Sequence, residues 1–259
     1  MQMQWNWEFA DLTAYFLVFA RMSGLFLINP LFSRKNLPAR ARVVLVLGMT
    51  ILLAPGLSLG ALEEASYFGL LGGLLQELFV GFCCSFVFQL FYYMLFFAGD
   101  FLDVEFGLSM AKVFDPGTSL QMSLSSTMLN IALMLYLFAT DSHLILIKLF
   151  AATYQVVPIG AGLVTTELSE FFMTLFASVF SLVIRLSLPF VAAMFVSEVS
   201  MGVLMKLVPQ IHVFVISVQF KILLGLLLMI LFASPITAFL DNYMTLMFEN
   251  MERALYTLI

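Results

Sequence analysis

Long apolar runs separated by short polar stretches dominate the chain, and the lengths of those runs predict its elements. A helix needs about 20 apolar residues to cross the hydrocarbon core of a bilayer. Runs of roughly that length lie at 12–32, 43–62, 78–99, 144–164, 171–197 and 213–234, with a slightly short one at 124–140. An apolar lead-in from Tyr67, broken by Glu77, would make the third helix exceptionally long. The pattern therefore predicts an all-α integral membrane protein of helical hairpins, with six to seven long hydrophobic helices. The tail from Asp241 to Ile259 differs, because Tyr243, Met247, Met251 and Leu255 recur at helical spacing beside Glu249, Glu252 and Arg253. That spacing predicts an amphipathic terminal helix.

Composition removes the water-soluble alternative. Of 259 residues, 63% are hydrophobic and 10% charged, against about 45–50% and about 25% in ordinary soluble domains. Twenty-nine Phe and seventeen Met exceed what one soluble core of this length could hide. The net charge is −5 and the basic residues are sparse, which excludes a nucleic-acid footprint. Cys83 and Cys84 are adjacent within an apolar run and read as packing residues, not as a metal pair or a disulfide. The acidic start, with Trp5 and Trp7 just before the first run, reads as an interfacial entry to a retained helix. No fixed-period repeat or Pro/Gly/Ser-rich linker divides the chain, so residues 1–259 are expected to form one domain.

Charge inside the apolar runs is costly, at about 2.5–3.5 kcal/mol for a cation at mid-membrane. Arg21, Lys148, Arg185 and Lys221 all lie there and need partners or water. They can snorkel, or pair with a carboxylate such as Glu77 or Glu198. A third reading, an Asp/Glu/His relay of a carrier, finds few embedded acids, since Glu77 and Glu198 lie near segment ends, and His143 and His212 both fall in connections. Ser217, Lys221 and Gly225 share a helix face, as do Thr174, Ser178, Ser181 and Arg185, and both faces are expected to point toward protein. Arg34, Lys35, Arg40 and Arg42 crowd the first connection, which the positive-inside rule places in the cytoplasm, with the N-terminus outside. No HExxH helix, GxSxG elbow, P-loop or convergent Ser/His/Asp set suggests catalysis, and no cofactor is expected.

One connection breaks the pattern. Residues 100–123 read DFLDVEFGLSMAKVFDPGTSLQMS. The third helix is expected to continue through Asp100, Asp103 and Gly107 and to stop at Asp115-Pro116-Gly117. Apolar material before such a breaker fits a re-entrant or interfacial loop, or a gate, because irregular backbone at membrane depth must be buried in protein or line a cavity.

Several pieces now line up in order: Gly107-Leu108-Ser109 followed by Asp115-Pro116, Thr153 to Gly160 ending in Val157-Pro158-Ile159-Gly160, and Lys206-Leu207-Val208-Pro209-Gln210 leading into Val213-Phe214-Val215-Ile216. With the basic stretch after Asn29-Pro30, they make the whole chain resemble the FliR family of flagellar type III export gates, called SctT in injectisomes. At Ser217 and Gln219 the chain departs from the Gly and Pro that the family tends to show. The resemblance implies a bacterial inner-membrane protein of the flagellar basal body, assembled with FliP and FliQ, with FlhB docked on the cytoplasmic side and unfolded export substrates passing through. It further implies a FliP-like front part, about 1–190, and a FliQ-like back part, about 191–259. Gly107 to Met122 would form a pore plug, with Gly107, Leu108, Ser109, Met110, Val113, Phe114, Asp115, Pro116 and Gly117 as its gate residues. Arg21, Lys148, Arg185, Glu198, Lys206, Pro209, Gln210 and Lys221 would serve buried-charge pairing and assembly, and an isolated subunit would lack neighbours for its cations. A self-contained secondary transporter of small solutes is the competing reading.

Overall fold

The computed structural model describes residues 9–33, 37–57, 67–110, 123–162, 165–208 and 213–259. Along them run α1 (Phe9–Ile28), α2 (Ala39–Leu53), a 3-10 turn (Ala54–Gly56), α3 (Tyr67–Glu105), α4 (Leu124–Ala139), α5 (Ser142–Val156), α6 (Thr166–Leu207), α7 (Val213–Leu231) and α8 (Ala233–Tyr256). The protein is an all-α membrane protein. The exceptionally long third helix is present: α3 has 39 residues, about 58 Å at 1.5 Å per residue.

The expected six to seven spanning helices are corrected by length. Among the described residues, Ala39–Gly56, Tyr67–Glu105 and Thr166–Leu207 are long and apolar enough to cross a membrane, and two bent helix pairs raise the number to at most five. Helices α4 and α5, with 16 and 15 residues, reach only about 24 and 22 Å, short of a core about 30 Å thick. Asp141, left-handed at φ 55°, breaks the chain between them. Helices α7 and α8 meet at a bend of 62°. The terminal amphipathic helix is longer than expected, beginning at Ala233. Its Tyr243, Met247, Met251 and Leu255 are buried while Glu249, Glu252 and Arg253 are exposed.

The chain forms two compact units. One draws on residues between 1 and 90, 141 and 175, and 246 and 259. Its core contains Leu17, Met22 and Phe26 of α1, Val80, Cys84 and Phe88 of α3, Phe150 of α5 and Met251 of α8. Here α1 and α3 touch backbone to backbone. A Cβ on Gly24 would sit 2.6 Å from the Leu78 carbonyl oxygen, and one on Gly81 would strike the Arg21 carbonyl. Small residues permit this crossing, and the Ser85 hydroxyl closes it by donating to the Leu25 carbonyl at 2.6 Å. Cys83 and Cys84 are free and buried, as their place in the run implied.

The other unit draws on residues between 91 and 140 and between 176 and 245. Its buried side chains include Leu95, Ala98, Leu102 and Phe106 of α3, Leu133 and Leu137 of α4, Val183 and Phe190 of α6 and Tyr243 of α8. Gly99 lies against the Ser126 backbone, so closely that a Cβ would overlap it. Gly225 of α7 sits under the Phe106 ring, where a Cβ would fall 2.5 Å from it. The expected protein-facing side of α7 is therefore correct at Gly225. Outside both cores, large apolar side chains such as Val44, Ile51 and Leu52 of α2 and Leu223, Ile230 and Leu231 of α7 remain exposed, a surface suited to lipid or other helices.

Candidate functional site: a buried ion pair and a clamped break

Arg21 and Glu77 are both fully buried, and they find each other. Arg21 Nε donates to Glu77 Oε2 at 2.6 Å. The other side of the guanidinium donates from Nη1 to the carbonyls of Thr153, at 3.0 Å, and Val157, at 2.7 Å. Its plane stacks over the Tyr154 ring, 4.3 Å from the centroid, and the Tyr154 hydroxyl donates back to the Val18 carbonyl at 3.2 Å. Glu77 Oε1 accepts the Gly160 N–H at 2.9 Å, while the Gln76 amide donates to the Gly160 and Gly162 carbonyls.

These contacts give Val157-Pro158-Ile159-Gly160 a physical role. Val157, held extended at φ −112° and ψ 98° as residues before proline are, ends α5 and exposes carbonyls to Arg21. Gly160, at φ 76°, turns its N–H onto Glu77. Three helices and one loop thus close around a charge pair that backbone carbonyls and an N–H also bind, the condition under which a buried pair is tolerated.

A second construction lies in the other unit, at the root of the segment that broke the sequence pattern. Helix α3 ends at Glu105, earlier than the Asp-Pro-Gly stop expected of it, and turns at Phe106–Leu108 through Gly107, φ 76°. A Cβ at Gly107 would meet only Val218 Cγ1 at 3.8 Å, so glycine is required there by conformation and not by space. Gly107, Leu108 and Ser109 are partly covered and Met110 is exposed. Val113, Phe114, Asp115, Pro116 and Gly117 lie outside the described residues, as do Arg34, Lys35, Pro209 and Gln210.

Where the chain is described again, Asp103 holds it. Its Oδ2 accepts from the Ser123 hydroxyl at 2.6 Å and the Leu124 N–H at 2.7 Å, and its Oδ1 accepts from the Ser125 N–H at 3.1 Å. Ser123 Oγ in turn caps the Ser126 N–H at 3.2 Å, and Ser126 Oγ donates to the Phe96 carbonyl at 2.7 Å. A carboxylate from α3 therefore completes the N-cap of α4, satisfying amides that a helix start leaves bare. Asp103, two residues before the end of α3, thus ties that helix to the start of α4. In the sequence Asp103 falls on α3 without a role; a serine before an apolar run is the kind of signal that could have marked the N-cap, but a carboxylate partner on another helix leaves no local signal.

The remaining cations divide. Lys221 of α7 forms an ion pair with Glu198 of α6, so that expected partner is correct. Of the residues expected to be buried charges, only Arg21 is buried by this chain. Lys148, Arg185, Glu198 and Lys206 lie exposed on it, because they occupy helix faces turned away from the packed seams, and Lys221 is partly covered. The stripe of Thr174, Ser178, Ser181 and Arg185, expected to face protein, is exposed on this chain. Arg40 and Arg42 belong to the first turn of α2, not to the preceding loop. The expectation that the cations lack company within a single chain is wrong for Arg21 and Lys221, since the tertiary fold brings Glu77 and Glu198 to them.

The family model described as bacterial export proteins, family 1, matches residues 12–247. The chain belongs to that family. Within this export family the chain is 26% identical over 246 residues to the flagellar biosynthetic protein FliR of Bacillus subtilis strain 168, covering 93% of this chain and 94% of that one. FliR of Escherichia coli K12 is 25% identical over 238 residues, with 92% and 91% covered. The Yop proteins translocation protein T of Yersinia pestis is 23% identical over 241 residues, with 92% of each chain covered. Both the Arg21–Glu77 knot and the Asp103 clamp fall within the span matched to the export family.

Proposed function

We propose that this chain is a non-enzymatic core component of the flagellar type III protein export gate in the bacterial inner membrane. In this reading it joins FliP and FliQ in a protein-conducting channel, and FlhB docks on the cytoplasmic side near the basic stretch around Arg40 and Arg42. The observation that carries the reading is the likeness to flagellar FliR proteins along nearly the whole chain. The segment 107–122 acts as a plug that closes the channel to ions and yields to an unfolded polypeptide. Support for this comes from its root: Gly107 supplies the turn at one end, and the Asp103 carboxylate fixes the other end at α4. A front part of about 1–190 would match FliP and a back part of about 191–259 would match FliQ; the latter holds the end of α6 with α7 and α8.

Two measurements test this. Coexpression with FliP and FliQ, followed by mass measurement of the intact complex, should find this chain in a stoichiometric assembly; recovery of a solitary folded subunit that binds small solutes would overturn the reading. Shortening residues 107–121 in that complex should raise ion leakage through the membrane, and unchanged conductance would remove the plug from the proposal. The competing carrier drew its motive from the embedded charges, and Arg21 and Lys221 are occupied by ion pairs.

A further inference from the structure

In the second unit, α6 and the start of α8 flank a cleft of about 310 Å³ lined by Arg185, Pro189, Phe190, Phe232, Pro235 and Phe239. Its lining is apolar apart from Arg185, which is exposed and makes no hydrogen bond or ion pair among the described residues. We propose that this cleft receives an apolar helix of another subunit of the export complex, carrying an Asp or Glu that pairs with the Arg185 guanidinium. The inference rests on the multi-subunit reading above and adds the chemistry of one contact.

Four observations support a protein carboxylate as the occupant. First, Arg185 sits near the middle of the 42-residue α6, about 28 Å from one end and about 33 Å from the other. Leu182, Leu186 and Phe190 line the cleft beside it, so the charge is set within an apolar surface that fits an apolar helix. Second, Pro189 has no N–H, so the Arg185 carbonyl four residues earlier lacks its helical donor. Five guanidinium donors and a bare acceptor are thus offered at one level of the helix. Third, the two prolines and three Phe rings give a shaped apolar recess beside the charge, an anchor pocket of the kind that concentrates binding energy in an interface. Fourth, this chain already meets the cations Arg21 and Lys221 with carboxylates brought from neighbouring helices. Arg185 lies in the same kind of apolar run with its face uncovered, and calls for the same complement from outside.

The test uses the coexpressed complex. A photoreactive benzoylphenylalanine at Ile236, which lines the cleft, is cross-linked in intact membranes and the product mapped by mass spectrometry. In parallel, Arg185→Glu, Arg185→Met and Arg185→Lys are scored for the yield of intact complex and for the thermal midpoint of the subunit in detergent. The expected result is a cross-link to an apolar helix of another subunit with an Asp or Glu within one turn. Complex yield should fall at least tenfold for Arg185→Glu and much less for Arg185→Lys, and exchanging the mapped acid for Arg should restore the Arg185→Glu variant. The midpoint of the subunit should stay unchanged in Arg185→Met, which separates lost assembly from lost folding. Cross-links to lipid, to a second copy of this chain, or to a helix without an acid would overturn the proposal, as would wild-type yield from Arg185→Glu. If the wild-type chain itself recovers no partner, the export-complex reading falls and this inference with it.

Discussion

Replacing Glu77 by Leu should be among the most damaging single changes to this protein's stability. The substitution removes the acceptor of the 2.6 Å bond from Arg21 Nε and, at the same time, the acceptor of the 2.9 Å bond from the Gly160 N–H. Arg21 would keep three backbone carbonyls but would hold an uncompensated charge at a site with no solvent exposure. Breaking a buried pair in this way costs about 3–5 kcal/mol, a large part of the roughly 5–15 kcal/mol that holds a domain together. Unfolding in mixed micelles, titrated with a denaturing detergent, would report the difference. The companion measurement is the Arg21→Met, Glu77→Leu double variant. It removes both charges, so it should be less destabilised than Glu77→Leu alone, with a coupling of about 2 kcal/mol or more. A Glu77→Leu protein within about 1 kcal/mol of wild type, or a double variant whose loss equals the sum of the singles, would refute the argument that this pair closes the first unit.

Asp103→Ala should cost about 2 kcal/mol by uncapping α4, and faster backbone hydrogen exchange at Leu124 and Ser125 should accompany it; unchanged exchange there would show that the clamp is not needed. Gly99→Ala forces a Cβ into the Ser126 backbone and should lose about 3 kcal/mol, whereas Gly48→Ala in α2, with nothing within 4 Å, should be neutral or stabilising by up to about 1 kcal/mol. Comparing the unfolding midpoints of these two variants checks the helix crossing directly. Cys83 and Cys84, about 1% and 0% exposed, should resist maleimide in the folded protein and react fully after denaturation; rapid native labelling would contradict the packing of α3.

Much of the architecture is legible in the order of residues, because the requirements involved are local. Run length and composition dictate apolar helices, and a helical period of Tyr243, Met247, Met251 and Leu255 dictates which side of α8 is buried. The count of spans was less legible. Hydropathy registers apolar runs but not the left-handed Asp141, which divides residues 124–156 into two helices each too short to cross alone.

Taken by itself, the sequence determined that this is a helical membrane protein and that its embedded cations require partners, while the turn at Gly107, where the helix was expected to continue, belongs to the folded chain. Only the tertiary structure decided who those partners are. Glu77 is 56 positions from Arg21 and Glu198 is 23 from Lys221, distances at which no helical periodicity links two side chains. Asp103 likewise caps a helix that starts 21 residues later. Desolvation makes each of these charges costly from its neighbours in sequence alone, whereas the compensating contact exists only once helices far apart in the chain are packed side by side.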